Sequence, residues 1–166
     1  GFKNGTDGNL QIVFDAIKSA SGAHHFLSVT KEGNSAIFST SGNSYCHTIL
    51  RGGSKKVNYD EKSIDEVSAR LDKANLPQQI VVDCSHANSM KDHKKQMVVI
   101  DDLAKQFSNG EKRIKGLMIE SNLVEGNQNI NDENLIYGKS VTDACIGWED
   151  TKKALYTLSE AINKRN

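Results

Sequence analysis

The sequence predicts an α/β fold built on parallel strands. Short apolar runs alternate with helical patterns along the chain, which is the order of repeated βα units. The runs are continuously apolar, and this is typical of strands buried on both faces of a parallel sheet. Arg51, His86 and Glu120 each follow a strand directly, at intervals of about 35 residues. Such strand ends converge on one rim of a (β/α)₈ TIM barrel, so the pattern favours that architecture.

The first elements are a helix and a hairpin. The helix follows Gly8 and ends at Ser21-Gly22, because apolar residues recur at three- and four-residue spacing: Leu10, Val13, Phe14 and Ile17. Two β-prone runs, 25–30 and 35–40, flank a polar four-residue turn at 31–34. This pattern predicts an inserted β-hairpin at about residues 25–40, which interrupts the βα order.

Two βα units follow the hairpin. The strand 46–50 leads into Arg51-Gly52-Gly53, and the next helix ends before Pro77, with an apolar stripe of Ile64, Val67, Leu71 and Leu76. The strand 79–83 precedes a helix from about residue 91 to 107. The order β-then-α is thus repeated.

The last part of the chain begins with the strand 114–119, which ends at Glu120. After a polar stretch, a closing helix is predicted with Asp150 or Thr151 as its N-cap. Its apolar stripe is Ala154, Leu155, Leu158 and Ile162.

Length and composition limit the classes of protein. The chain has 166 residues, of which 37% are hydrophobic, so it can bury one core. Lys and Arg total 21 and Asp and Glu total 21, which leaves no net charge to attract nucleic acid or an acidic membrane surface. No apolar run approaches the roughly 20 residues that span a bilayer. Three cysteines without a Cys-x-x-Cys pair indicate a reducing compartment, so we expect a cytoplasmic protein.

The chain is too short for a whole barrel. A complete (β/α)₈ barrel needs about 250 residues, and only four strand ends are counted here, including Lys3. The chain also begins at Gly1, on what reads as the end of a strand. We therefore expect residues 1–166 to be about half of a single barrel domain, cut from a longer protein. Unpaired edges of a half barrel would favour self-association, so a homo-oligomer is expected.

The polar residues at the strand ends suit a metal and an anion. His86, Glu120 and Asp143 offer an imidazole and two carboxylates, a set that binds divalent manganese, iron or zinc. Lys3 and Arg51 add two cations, so the group suits a small, doubly anionic substrate such as phosphoenolpyruvate.

Simpler interpretations stay open for each of these residues. A single histidine such as His86 is more often structural, and Asp143 is equally suited to cap a helix that starts at Ala144. Arg51 is the stronger candidate, because Gly52-Gly53 lets backbone N–H groups approach an anion closely.

Five segments of the chain resemble the type I 3-deoxy-D-arabino-heptulosonate 7-phosphate (DAHP) synthases. They are 1–8, 49–53, 83–89, 118–128 and 137–149, in this order over the whole chain. The resemblance implies an enzyme that condenses phosphoenolpyruvate with erythrose 4-phosphate, releasing phosphate, at the start of aromatic amino-acid synthesis. It also places the chain in the second half of that family's (β/α)₈ barrel.

The resemblance implies a role for each candidate residue. Lys3 and Arg51 are similar to phosphoenolpyruvate ligands and, with His86, to catalytic residues of the family. His86, Glu120 and Asp143 resemble three of four ligands of a divalent metal ion of the manganese, iron, cobalt or zinc type. The fourth is a cysteine upstream that this chain lacks, as it lacks the segment for erythrose 4-phosphate. The chain alone is therefore expected to be inactive.

The hairpin resembles the region where the family binds an aromatic feedback inhibitor. Phe26 and Ser28 match positions of that pocket, and Phe-Leu-Ser favours phenylalanine over tyrosine as the effector. An exposed hairpin of this kind is also common at oligomer contacts. Two other hypotheses remain: a non-catalytic module that binds an aromatic amino acid, and a related 3-deoxy-octulosonate phosphate synthase, against which the hairpin argues.

Overall fold

The computed structural model describes residues 1–165, which fold into four α-helices and eight strands. In chain order they are β1 (Phe2–Lys3), α1 (Gln11–Ser21), β2 (His24–Val29), β3 (Ser35–Thr40), β4 (Thr48–Leu50), α2 (Glu61–Lys73), β5 (Ile80–Asp83), α3 (Gln96–Ser108), β6 (Ile114–Met118), β7 (Val124–Asn127), β8 (Lys139–Ser140) and α4 (Trp148–Lys164). A 3₁₀ turn, His93–Lys95, precedes α3. Among these helices, none combines the length and apolar character that a bilayer crossing requires.

The central feature is a four-stranded parallel sheet. Its strands lie side by side in the order β1, β4, β5 and β6, all parallel. Thr48 of β4 pairs with Phe2 on one side and with Ile80 on the other. The prediction of an α/β fold on parallel strands is therefore confirmed, and the carboxyl ends of all four strands lie on one edge.

The core lies between this sheet and the helices that follow its strands. Strand residues Leu50, Ile80 and Val82 are fully buried, together with helix residues such as Ile64 and Leu103. Removing each such side chain from water contributes about 1.5–3 kcal/mol, and this burial keeps the strand ends in register. The helices α3 and α4 also pack against each other.

The predicted hairpin forms a separate two-stranded sheet. Strands β2 and β3 are antiparallel, with Phe26 opposite Phe38 and Ser28 opposite Ala36. The two phenylalanine rings stack with their centroids 6.0 Å apart. Most of the hairpin is exposed, including Leu27 and Ile37, so its apolar side chains find little cover within the described chain.

The closing helix differs from its prediction. Helix α4 begins at Trp148 with Gly147 as its N-cap, so the expected caps Asp150 and Thr151 were wrong. Its buried stripe is Ala154, Leu158 and Ala161, whereas Leu155 and Ile162 are exposed. Both stripes have helical spacing and lie on neighbouring faces, so periodicity alone does not select the buried one.

Two other helices are shorter than predicted, one at its C-terminal end and one at its N-terminal end. Helix α2 ends at Lys73 rather than at Leu76, because Asn75 adopts the left-handed conformation with φ of 54°. Before α3, Met90 and Lys91 are also left-handed, so the α-helix begins only at Gln96.

Candidate active site

A cavity of about 700 Å³ opens at the carboxyl edge of the parallel sheet. Its size is typical of a site for a small molecule. The segments that follow β1, β4, β5 and β6 all contribute to its wall, with these residues: Thr6, Asp7, Arg51, Gly52, Ser54, Ser85, His86, Ala87, Lys91, His93, Glu120, Asp143 and Ala144. Both signs of charge are thus present in one cavity.

The three predicted metal ligands lie together in this cavity. His86, Glu120 and Asp143 each offer one ligand atom, and these atoms lie within 4.8 Å of one another. Ligand atoms about 2.1 Å from a shared ion are at most about 4.2 Å apart, so small side-chain rotations would suffice to bind one. One imidazole and two carboxylates suit a divalent transition metal. The donor set therefore fits such an ion.

Backbone pairing brings Asp143 to the other two residues. The N–H of Ile146 donates to the carbonyl of Glu120 at 3.0 Å, and Cys145 pairs with Gly126 in both directions. Ile146 itself is fully buried and anchors the segment. Residues 141–147 are not helical, so the alternative role of Asp143 as a helix cap was wrong.

His86 occupies an unusual backbone conformation. Its φ of 54° lies in the left-handed region, which costs a non-glycine residue about 1–2 kcal/mol. This conformation turns the imidazole toward the cavity, where Nε2 lies 3.8 Å from Oε1 of Glu120. On the other side, Nδ1 lies 2.9 Å from Oδ2 of Asp83. This contact does not have the geometry of a hydrogen bond, so the interaction between Nδ1 and the carboxylate is electrostatic.

Lys3 meets the same carboxylate of Asp83. Its Nζ donates to Oδ2 at 2.6 Å, and Lys3 is not among the residues that line the cavity. Burial raises the pKa of Asp83, but hydrogen bonds from Lys3 and from the N–H of Ser85, with the nearby His86, outweigh it and leave that pKa below its usual value. Asp83 is therefore an ionised, buried carboxylate beside the site.

Glu120 is held at both its side chain and its backbone. Oε2 accepts a hydrogen bond from the hydroxyl of Ser85 at 2.7 Å. The side-chain amide of Gln96 bonds to the Glu120 backbone, accepting from its N–H at 2.9 Å and donating to its carbonyl at 3.0 Å. Gln96 is fully buried at the start of α3, so this helix fixes the end of β6.

Three buried asparagines hold the segment around Arg51. Oδ1 of Asn4 accepts from the N–H of Arg51 at 2.9 Å, and Nδ2 of Asn58 donates to that same oxygen. Oδ1 of Asn58 accepts from the N–H of Gly52. Asn88 connects the next strand by accepting from the N–H of Asn58. Arg51 thus projects into the cavity from a fixed backbone.

Sequence reasoning missed the asparagines, Asp83, Gln96 and His93. Buried amides give no periodic signal, since Asn and Gln are ordinarily exposed. The sequence pattern assigns no role to His93, yet this residue lines the cavity, and its Nε2 lies 2.9 Å from Oε1 of Glu125. Nζ of Lys94 lies 2.9 Å from the same oxygen, and His93 with Lys94 holds the pKa of Glu125 below its usual value. Apart from Asp143, the residues that sequence analysis detected were polar or charged side chains at the ends of the main-sheet strands.

The cysteines take no part in this metal cluster. Cys46 and Cys84 are buried, and burial, with the charge of Asp83, raises the pKa of Cys84 to about 12. Cys84 is therefore a neutral thiol at ordinary pH. Cys145 is partly exposed, and burial raises its pKa as well.

Comparisons with known proteins agree with one another. The model of the DAHP synthetase I family matches residues 1–156. The chain is 57% identical to the "Phospho-2-dehydro-3-deoxyheptonate aldolase, Phe-sensitive" of Escherichia coli K12, over 99% of this chain and 47% of that protein. It is 47% identical to the tyrosine-inhibited phospho-2-dehydro-3-deoxyheptonate aldolase of Candida albicans, over 99% of this chain and 46% of that protein.

A solved structure gives the same result for the fold. The phospho-2-dehydro-3-deoxyheptonate aldolase of Francisella tularensis SCHU S4 superposes with a TM-score of 0.93 at 49% sequence identity. The match covers 100% of this chain and 48% of that chain. The chain therefore spans about half the length of the relatives that it matches.

Proposed function

Because the chain belongs to the DAHP synthetase I family, we propose that it carries half of a 3-deoxy-7-phosphoheptulonate synthase active site. Residues 1–166 then form the C-terminal part of one (β/α)₈ barrel domain, with the regulatory hairpin inserted at about 25–40. The observation that carries this proposal is the meeting of His86, Glu120 and Asp143 in the cavity that Arg51 also lines. The site lies at the strand ends where barrel enzymes perform their chemistry.

The proposed substrates are phosphoenolpyruvate and erythrose 4-phosphate. In the reaction, C3 of phosphoenolpyruvate attacks the aldehyde carbon, water adds at C2 and phosphate leaves. Arg51 would bind the anionic groups of phosphoenolpyruvate through two parallel N–H donors. Its backbone is fixed by Asn4, so little backbone entropy is lost when the substrate binds.

A divalent metal ion held by His86, Glu120 and Asp143 would act as a Lewis acid on the aldehyde oxygen. Within the chain, Ser85 supports this role, because its hydroxyl donates to Oε2 of Glu120 and leaves Oε1 facing His86. Lys3 would contribute a second cation for the substrate. Its Nζ would either break its hydrogen bond to the carboxylate of Asp83 or contact the substrate while keeping that bond.

Phosphate release tests the proposal. The chain alone, with Mn²⁺, phosphoenolpyruvate and erythrose 4-phosphate, is expected to give no turnover. The same chain, joined behind the part of the E. coli relative that it does not match, is expected to release phosphate and form product. Arg51→Ala should abolish this activity, whereas Arg70→Ala, on the outer face of α2 against Phe14, should retain it. An inactive fused protein with native structure would contradict the proposal.

A second function is proposed for the hairpin, namely binding of an aromatic amino acid. The stacked pair Phe26 and Phe38, with Ser28 on the same strand, offers an exposed apolar face beside a hydroxyl. Phenylalanine is the proposed effector, and the higher identity to the Phe-sensitive relative supports it. The same exposed apolar face suits contact between subunits of a homo-oligomer.

Calorimetry with phenylalanine and tyrosine tests the effector. Heat from phenylalanine that Phe26→Ala removes is the expected result, and heat from tyrosine alone would contradict the choice. Binding of phenylalanine by a chain whose fused form has no turnover would favour the non-catalytic regulatory module.

A further inference from the structure

We propose that Asp83 is a positioning residue that fixes which nitrogen of His86 faces the cavity. Its buried carboxylate holds the proton of the imidazole on Nδ1 and leaves the lone pair on Nε2 for a metal ion. This inference deepens the proposed function and rests on it for the identity of the site.

Asp83 is held in place by its hydrogen-bond partners. It is the last residue of β5 and is 1% exposed, so its charge needs partners. Oδ2 accepts from Nζ of Lys3 at 2.6 Å, and Oδ1 accepts from the N–H of Ser85 at 2.9 Å. The carbonyl of Asp83 accepts from Nδ2 of Asn88. Neighbouring segments therefore fix this residue at both the carboxylate and the backbone.

The two ring nitrogens of His86 have different surroundings. In a neutral imidazole one nitrogen carries the proton and the other carries a lone pair. Nδ1 is buried and lies 2.9 Å from the carboxylate oxygen of Asp83, with no hydrogen bond to any other described residue. A lone pair on Nδ1 would point at a negative oxygen and would be repelled, whereas a proton there is attracted even off the ideal angle.

The position of this proton decides what His86 presents to the cavity. With the proton on Nδ1, Nε2 presents its lone pair 3.8 Å from Oε1 of Glu120, in the group of atoms that suits an ion. Carboxylates that bond to the second nitrogen of a metal-binding histidine orient the ring in this way. Because Lys3 occupies the same oxygen of Asp83, one carboxylate couples the end of β1 to the imidazole.

A measurement without metal tests the inference directly. The ring nitrogens of ¹⁵N-histidine-labelled chain are observed by NMR at about pH 9, where a free imidazole is neutral, with His86 assigned from a His86→Gln variant. The expected result is the Nδ1–H form in the unmodified chain and a shift toward Nε2–H in Asp83→Asn. Asp60→Asn is the matched control, because Asp60 caps α2 and lies in a different cluster. An Nε2–H ring in the unmodified chain would overturn the inference, even if Asp83→Asn does not fold.

Titration with Mn²⁺ supplies the second readout. Loss of such a supporting carboxylate typically weakens metal affinity 10–100-fold, so Asp83→Asn is expected to bind about 10–100-fold more weakly and Asp60→Asn equally well. Equal affinity of the folded Asp83→Asn variant would also overturn the inference. If the unmodified chain binds no Mn²⁺, the proposed metal site fails, and the ring nitrogens still decide the role of Asp83.

Discussion

Replacement of Gln96 by alanine is expected to reduce both the stability of the chain and the affinity of the site for a metal ion. The side chain of Gln96 makes two hydrogen bonds to the backbone of Glu120. The carbonyl of Glu120 also accepts from the N–H of Ile146, but the N–H of Glu120 has no partner other than Gln96 among the described residues. A buried N–H left without a partner costs about 1–3 kcal/mol, and the second lost bond about 0.5–1.5 kcal/mol.

The expected loss of unfolding free energy is therefore roughly 2–4 kcal/mol. For a chain of this size, that loss lowers Tm by roughly 5–15 °C. Urea denaturation followed by circular dichroism measures the first quantity, and a thermal scan measures the second. Titration with Mn²⁺ measures the effect on the site, which should weaken because Glu120 is no longer held toward His86.

Gln106→Ala provides the matched control for this prediction. Gln106 is another buried glutamine of α3, but its amide donates to the carbonyl of Tyr59 and to Asp102, away from the cavity. It should lower stability and leave Mn²⁺ affinity unchanged. A destabilisation of less than about 0.5 kcal/mol in Gln96→Ala would refute this role of Gln96. Equal weakening of Mn²⁺ binding in both variants would refute it as well.

Two further predictions concern the backbone and an ion pair. In urea denaturation, Gly52→Ala should lower the stability of the chain more than Gly33→Ala. Both glycines have a positive φ, but a Cβ at Gly52 would lie 2.7 Å from the backbone N of Asn88, whereas a Cβ at Gly33 would contact nothing within 4 Å. Equal losses of stability in the two variants would contradict this prediction. Burial raises the pKa of Glu111, but its bonds to Arg113 outweigh this and leave that pKa below the usual 4.5. The ionised Glu111 therefore stabilises the folded chain above about pH 4.5, and this contribution is lost as the pH falls through the lowered pKa of the folded state. Glu111→Gln should accordingly flatten the acid side of a plot of unfolding free energy against pH. An unchanged plot would exclude this contribution.

Much of the fold was predictable because its signals are local. Short, mostly apolar runs marked β4, β5 and β6, and the turn after Val29 marked the hairpin. The boundaries were less accurate where tertiary contacts decide them. Leu155 and Ala161 lie on neighbouring faces of α4, and only packing against α3 selects the face with Ala161.

The candidate site was predictable in part for a related reason. Parallel strands bring their carboxyl ends to one edge, so Arg51, His86 and Glu120 were expected to approach one another. Asp143 follows no strand of the main sheet, and residues alone left it open between a metal ligand and a helix cap. The pairing of Ile146 with Glu120 excluded the helix cap and brought Asp143 close to the other two candidate ligands.

The sequence by itself determined the class of fold, the edge of the sheet at which the polar side chains meet and the family to which the chain is similar. These depend on periodicity and on residue order, which are properties of neighbouring residues. Only the tertiary structure decided that Asp83 lies between Lys3 and His86 and that Gln96 holds Glu120. It also decided that three asparagines hold the segment around Arg51. Hydrogen bonds of buried polar groups join residues far apart in the chain, and no local pattern specifies such partners.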